Sequence, residues 1–155
     1  MKSIKLPLFC GSIYFLQIAI AHAIGLKIPG LFIYFNVPSY AYQNKIISLL
    51  AFGWAAFFFT ASITLSRPLI KSILIIGLAA LAMLTCININ TDFAVLSEKI
   101  NPNLFHIETG ILLLYWIWLF WCYNKIKQRK DLRQAKPADA NARWFNSLAL
   151  NRQPI

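Results

Sequence analysis

The chain has 155 residues, a formal charge of +10 and 59% hydrophobic residues, with a mean hydropathy of +0.59. That apolar share exceeds the roughly 45–50% of soluble domains, which argues against a water-soluble fold. The positive charge does not mark a nucleic-acid binder, because the lysines and arginines lie in short segments between and after apolar blocks rather than on one soluble face.

The apolar residues gather into blocks from Leu6 to Leu26, Ile46 to Leu65, Leu69 to Ile89 and Leu104 to Tyr123. A helix rises about 1.5 Å per residue and the hydrocarbon core is about 30 Å thick, so each block is long enough to cross once. The sequence therefore predicts an all-α integral membrane protein: an up-down four-helix transmembrane bundle over residues 1–124, with helices at about 6–26, 46–65, 69–89 and 104–123, and a basic tail over 125–155. Lys2 and Lys5 precede the first block, Arg67 and Lys71 flank the turn after the second, and Lys125, Lys127, Arg129, Lys130, Arg133 and Lys136 follow the fourth. The other two connections carry only Lys27, Lys45 and Lys99. By the positive-inside rule both termini are expected in the cytoplasm, with the chain in a cell inner membrane.

The first block also resembles a secretory signal, with small Ala21 and Ala23 around His22 after an apolar run. Its length and the presence of Tyr14 and Gln17 favour a retained helix. Gln17 falls near mid-membrane, where a lone amide is expected to bond a neighbouring helix.

The connection from Lys27 to Lys45 is too apolar and aromatic for a freely solvated loop. Phe32, Tyr34, Phe35, Tyr40 and Tyr42 suit the headgroup boundary, while Pro29, Gly30 and Pro38 break any continuous helix. In the second block Ala51, Gly53, Ala55 and Ala56 alternate with Trp54 and the rings of Phe57, Phe58 and Phe59, a pattern that allows close helix approach on one side and fills space on another. Arg67 and Pro68 make a tight turn, so the second and third helices are expected to run antiparallel. Beyond the third block, Phe93, Leu96 and Ile100 have the spacing of a short amphipathic helix over about 92–100, ended by Pro102. Tyr115, Trp116, Trp118, Phe120, Trp121 and Tyr123 make the inner half of the fourth block strongly aromatic.

After Tyr123 the composition turns basic, and no core is expected there. The cluster Lys125, Lys127, Arg129, Lys130, Arg133 and Lys136 is expected to meet anionic lipid, at about 1 kcal/mol per cation near the surface. Arg143, Trp144, Phe145, Leu148 and Leu150 have the pattern of a short amphipathic turn.

No phosphate loop, HExxH, GxSxG or paired Cys-His pattern is present. Cys10, Cys86 and Cys122 form no metal-ligand spacing and read as small apolar residues. What remains is positional: His22 near the outer end of the first helix, and His106 with Glu108 at the outer start of the fourth. These three are candidates to hold a b-type haem, a divalent metal or a quinone headgroup, because antiparallel topology sets them at similar depth. The competing expectation is that they sit in the wet interface, and that His106 and Glu108, about 200° apart on a helix, do not face one ligand. Three function classes follow: a non-catalytic accessory, assembly or scaffold component that packs on another membrane protein or lipid; a redox or small-ligand protein using those three residues; and a transporter or channel subunit. The scarcity of catalytic motifs and the abundance of aromatic surface put the first ahead.

Overall fold

A computed structural model describes residues 2–29, 34–96 and 100–150, the last of these from 129 onward, and residues 2, 3, 94 and 127, as backbone only. The helices are α1 (Lys2–Ile24), α2 (Ala41–Thr64), α3 (Arg67–Asn90), the short α4 (Phe93–Leu96) and α5 (Pro102–Leu150). Four stretches within them are long and apolar enough to cross a membrane: Ile4–Ile24, Ala41–Thr64, Arg67–Asn90 and Pro102–Ile126. The chain is thus a multi-pass membrane protein built as a four-helix bundle.

Helix ends are set by local chemistry that hydropathy does not report. α1 stops at Ile24 because Gly25 takes φ 72°, which lets Gly25 N donate to the His22 carbonyl at 3.3 Å and Leu26 N to the Ala21 carbonyl at 2.9 Å. This pair of bonds is a Schellman cap. α2 begins five residues before its apolar block, since extended Tyr40 donates its N–H to the Gln43 side chain at 2.9 Å and starts the helix among polar residues. Leu65, at φ 51°, turns the chain, and Pro68 falls in the first turn of α3 where a missing N–H costs nothing. The backbone of α5 continues helically from the fourth span through the basic stretch to Leu150. The side chains of Lys127, Arg129, Lys130, Arg133, Lys136 and the 143–150 segment lie outside the described ones.

The helices pair as two units. α1 packs closely along α2, with buried Ala19, Ala51 and Ala55 between them. Ser12 Oγ donates to the Ala55 carbonyl at 2.9 Å and Ser48 Oγ to the Ala19 carbonyl at 2.8 Å, so both hydroxyls are satisfied across the seam. α3 packs on α5, where the Trp116 indole donates to the Leu74 carbonyl at 2.8 Å. Tyr115 joins the units by donating to the Pro7 carbonyl at 2.8 Å. Tyr115 and Trp116 therefore face inward as hydrogen-bonding links between helices, while further along α5 Lys125 lies 3.4 Å over the Trp121 ring.

Consecutive α2 and α3 barely touch. Small residues let α2 approach α1, and Trp54 and Phe58 of α2 pack on Phe15 and line the space between the helices. The main core, including Ile4, Leu8, Phe58, Ile73, Leu119 and Cys122, closes the bundle at the end where the α2–α3 turn lies.

At the opposite end an aromatic cap is formed. Phe93 and Phe105 meet edge to face at 4.8 Å, and Tyr34 packs on both, at 5.8 and 5.2 Å between centroids. The Tyr34 hydroxyl donates to Asn88 Oδ1 at 3.3 Å, and Asn88 Nδ2 donates to the Phe105 carbonyl at 3.2 Å and to Thr109 Oγ1 at 2.9 Å. Burial pushes the Tyr34 phenol above its ordinary value. Of the aromatic residues expected at the headgroup boundary, Tyr34 thus turns inward, Tyr40 and Tyr42 stack on each other in exposed positions at 5.8 Å, and Phe32 lies outside the described residues. Phe93 and Ile100 are buried as the amphipathic spacing predicts, but Leu96 is exposed.

One expectation fails. Gln17 is exposed on the outside of α1 and makes no hydrogen bond within the described residues. The interhelical bonding expected of it is carried by Ser12, Ser48, Asn88, Tyr115 and Trp116 instead.

Candidate functional site

Because α2 stands off α3, the four long helices enclose a cavity of about 450 Å³. From α1 come Cys10, Gly11, Tyr14, Phe15 and Ile18, the one-face spacing of a helix. α2 contributes Trp54 and Phe58. The wall from α3 runs from Ile73 to Leu84 past Gly77 and Ala80, and that from α5 runs from Glu108 to Leu119. The eleven-residue advance from Glu108 to Leu119 is about 16 Å at helical rise, so the cavity is elongated along the membrane normal.

Small residues make this space. A Cβ on Gly77 would lie 3.1 Å from the Trp116 ring, so the glycine leaves room for that indole to approach α3 and reach the Leu74 carbonyl. Phe15 is packed against Trp54 and Phe58, with centroids 5.7 and 5.4 Å away, which fixes the aromatic wall on the α1–α2 side.

The polar groups are few. The Tyr115 hydroxyl and the Trp116 indole are engaged with backbone carbonyls. Tyr14 and Glu108 are further polar side chains in this otherwise largely apolar wall, beside the Trp54 indole and the Cys10 thiol. Glu108 is six residues beyond Pro102, about 9 Å into the helix. It is half-buried, and one carboxylate oxygen is shielded from solvent. An ionisable group at this depth is costly and points to a role beyond packing.

The two histidines stand elsewhere, and neither lines the cavity. His22 is buried near the end of α1 with Nδ1 3.4 Å from Asn44 Oδ1, an atom that also accepts from Ser39 at 3.4 Å. It ties the last turn of α1 to the first turn of α2. His106 is exposed on α5, on the opposite side from Glu108, as a two-residue separation on a helix requires. Among the described residues no group of three or more His, Cys, Asp and Glu side chains could hold a metal ion. Cys10 and Cys86 are exposed thiols and Cys122 a buried one.

Of the sequence candidates, then, Glu108 is brought into a cavity and the histidines are not. The sequence reading noted Tyr14, Trp54 and Phe58 without assigning them to a site, and did not single out Gly11 or Gly77. The spacing of residues 10, 11, 14, 15 and 18 was visible, but which helices that face would meet depends on the pairing of the helices.

Fold and cavity define a class: a polytopic helical membrane protein with an elongated apolar chamber bearing a carboxyl group at one end. No family model, curated protein or solved structure matches the chain.

Proposed function

We propose that the chain is a non-catalytic accessory protein of a cell inner membrane that holds an amphipathic, membrane-soluble molecule between its helices. The apolar body of the ligand lies along Phe15, Phe58 and Leu112, and its compact polar head lies at Glu108 and Tyr14. The observation that carries this reading is the Glu108 carboxyl set into the wall of a largely apolar cavity of about 450 Å³, a volume within the range of about 300–1,000 Å³ usual for small-molecule sites. A carboxyl and a phenol together offer both donors and acceptors, which suits the head of a single-chain lipid or the carbonyls of an isoprenoid quinone.

Solvent extraction of the chain purified in mild detergent, followed by mass analysis, is expected to release about one such amphiphile per chain. The mass distinguishes quinone from lipid. An extract containing only bulk membrane lipid would count against the reading.

The orientation belongs to the same proposal. With both termini cytoplasmic, the aromatic cap faces outward, and the cluster from Lys125 to Lys136 meets the anionic leaflet. Lys125 over Trp121 has the character of an interfacial anchor. Reporter fusions after Lys5, Lys71 and Lys136 are expected to score cytoplasmic, and those near Tyr40 and Glu98 external. An external C-terminal reporter would reverse the assignment, and a mature N-terminus at Ile24 would make α1 a cleaved signal.

A further inference from the structure

The outward face of α1 carries a group that lipid cannot satisfy. Gln17 lies within the span Ile4–Ile24, seven residues from its outer end, which is about 10 Å at helical rise. Its neighbours on that face, Ile13, Leu16 and Ile20, are exposed and apolar, as a lipid-facing surface requires. Its carboxamide has donors and acceptors with no bond inside the described chain, and a side chain of this length does not reach the headgroups from that depth. The contrast with Asn88 is direct: that amide, in the same bundle, is buried and bonded to three partners.

We propose that this face of α1 is the seam of a homodimer in which the Gln17 amides of two copies bond each other. An amide is self-complementary, since its N–H donors fit the carbonyl oxygen of an identical group. A twofold axis along the membrane normal keeps both copies in the same orientation and sets both Gln17 residues at the same depth, a match that a second copy supplies by symmetry. Beside the seam, Leu16, Ala19, Ala23, Ser48 and Phe52 line a shallow groove on the outside of the α1–α2 pair, where the other copy's apolar side chains can seat. Cys10, exposed at the rim of the cavity two turns below Gln17 and within about 20° of it around the helix, lies at the edge of the same seam, which brings two Cys10 thiols near each other.

The test uses the full chain in liposomes, labelled at the C-terminus with donor or acceptor dye. Energy transfer between copies is expected, with Gln17→Leu weakening association about tenfold and Gln17→Asn retaining most of it. Copper-phenanthroline oxidation is expected to yield a disulfide-linked dimer that is lost in Cys10→Ala and reduced in Gln17→Leu. A wild-type chain that stays monomeric at high protein-to-lipid ratio overturns the proposal and leaves the face to a different protein. So does a dimer indifferent to Gln17→Leu, or one linked through Cys86 rather than Cys10. Ligand loss in the extraction experiment bears on the cavity alone and leaves this outcome untouched.

Discussion

Gly11→Ala is expected to destabilise the bundle by about 1–3 kcal/mol, the usual cost of overpacking a filled interior. A Cβ at this position would run into the Tyr115 hydroxyl and lie 2.6 and 2.7 Å from two carbons of the Phe58 ring. Neither neighbour moves freely: Phe58 is in the core and packed on Phe15, and Tyr115 is held by its bond to the Pro7 carbonyl. The contact joins α1, α2 and α5, so relief would have to break the Tyr115 bond to Pro7 or push the Phe58 ring into the cavity that both line. Gly53→Ala is the matched control, because a Cβ there meets nothing within 4 Å. It should be neutral, or stabilising by about 0.5–1 kcal/mol from helix propensity. Thermal unfolding of both variants in the same detergent checks the pair, and equal midpoints would contradict the packing described for Gly11.

The second large effect is expected at Asn88. Asn88→Leu removes the acceptor of the Tyr34 hydroxyl and the donor to the Phe105 carbonyl and Thr109 at once. A buried polar group left without its partner costs about 1–3 kcal/mol, so the outer cap should loosen even while the spans remain inserted. Hydrogen exchange should rise at residues 34–37 and around Phe105, with little change near Leu8 or Leu119 in the inner core. Thr109→Val should be milder, since the Asn88 bonds to Tyr34 and Phe105 persist. Unchanged exchange at the cap in Asn88→Leu would show that the aromatic contacts of Phe93, Tyr34 and Phe105 hold it without the amide.

The number of spans was legible because block length and hydrophobicity alone decide whether a helix crosses a bilayer. Their partners were not. The turn at Leu65 and Ser66 makes α2 and α3 consecutive and antiparallel, yet adjacency in sequence did not make them pack, and Trp54 and Phe58 of α2 line the cavity instead. Gln17 shows the same limit. Its residue type signals a hydrogen bond, but whether the partner lies inside the chain depends on helix rotation, which a nearly uniformly apolar α1 does not encode. At the site, Glu108 stood out as an acidic residue within a span. That it shares a cavity wall with Tyr14 could not be seen, because the two are almost a hundred positions apart in the chain. The histidines drew attention through their chemistry, while His22 in fact lies against Asn44 at a helix junction.

The central claim is that the cavity holds an amphiphile by its head at Glu108. Native mass spectrometry of the intact chain, released from mild detergent, measures this most directly. The wild type is expected to carry a discrete bound mass that is largely lost in Glu108→Leu and kept in His22→Ala and His106→Ala. A mass retained in Glu108→Leu, or lost only when a histidine is replaced, would contradict the assignment.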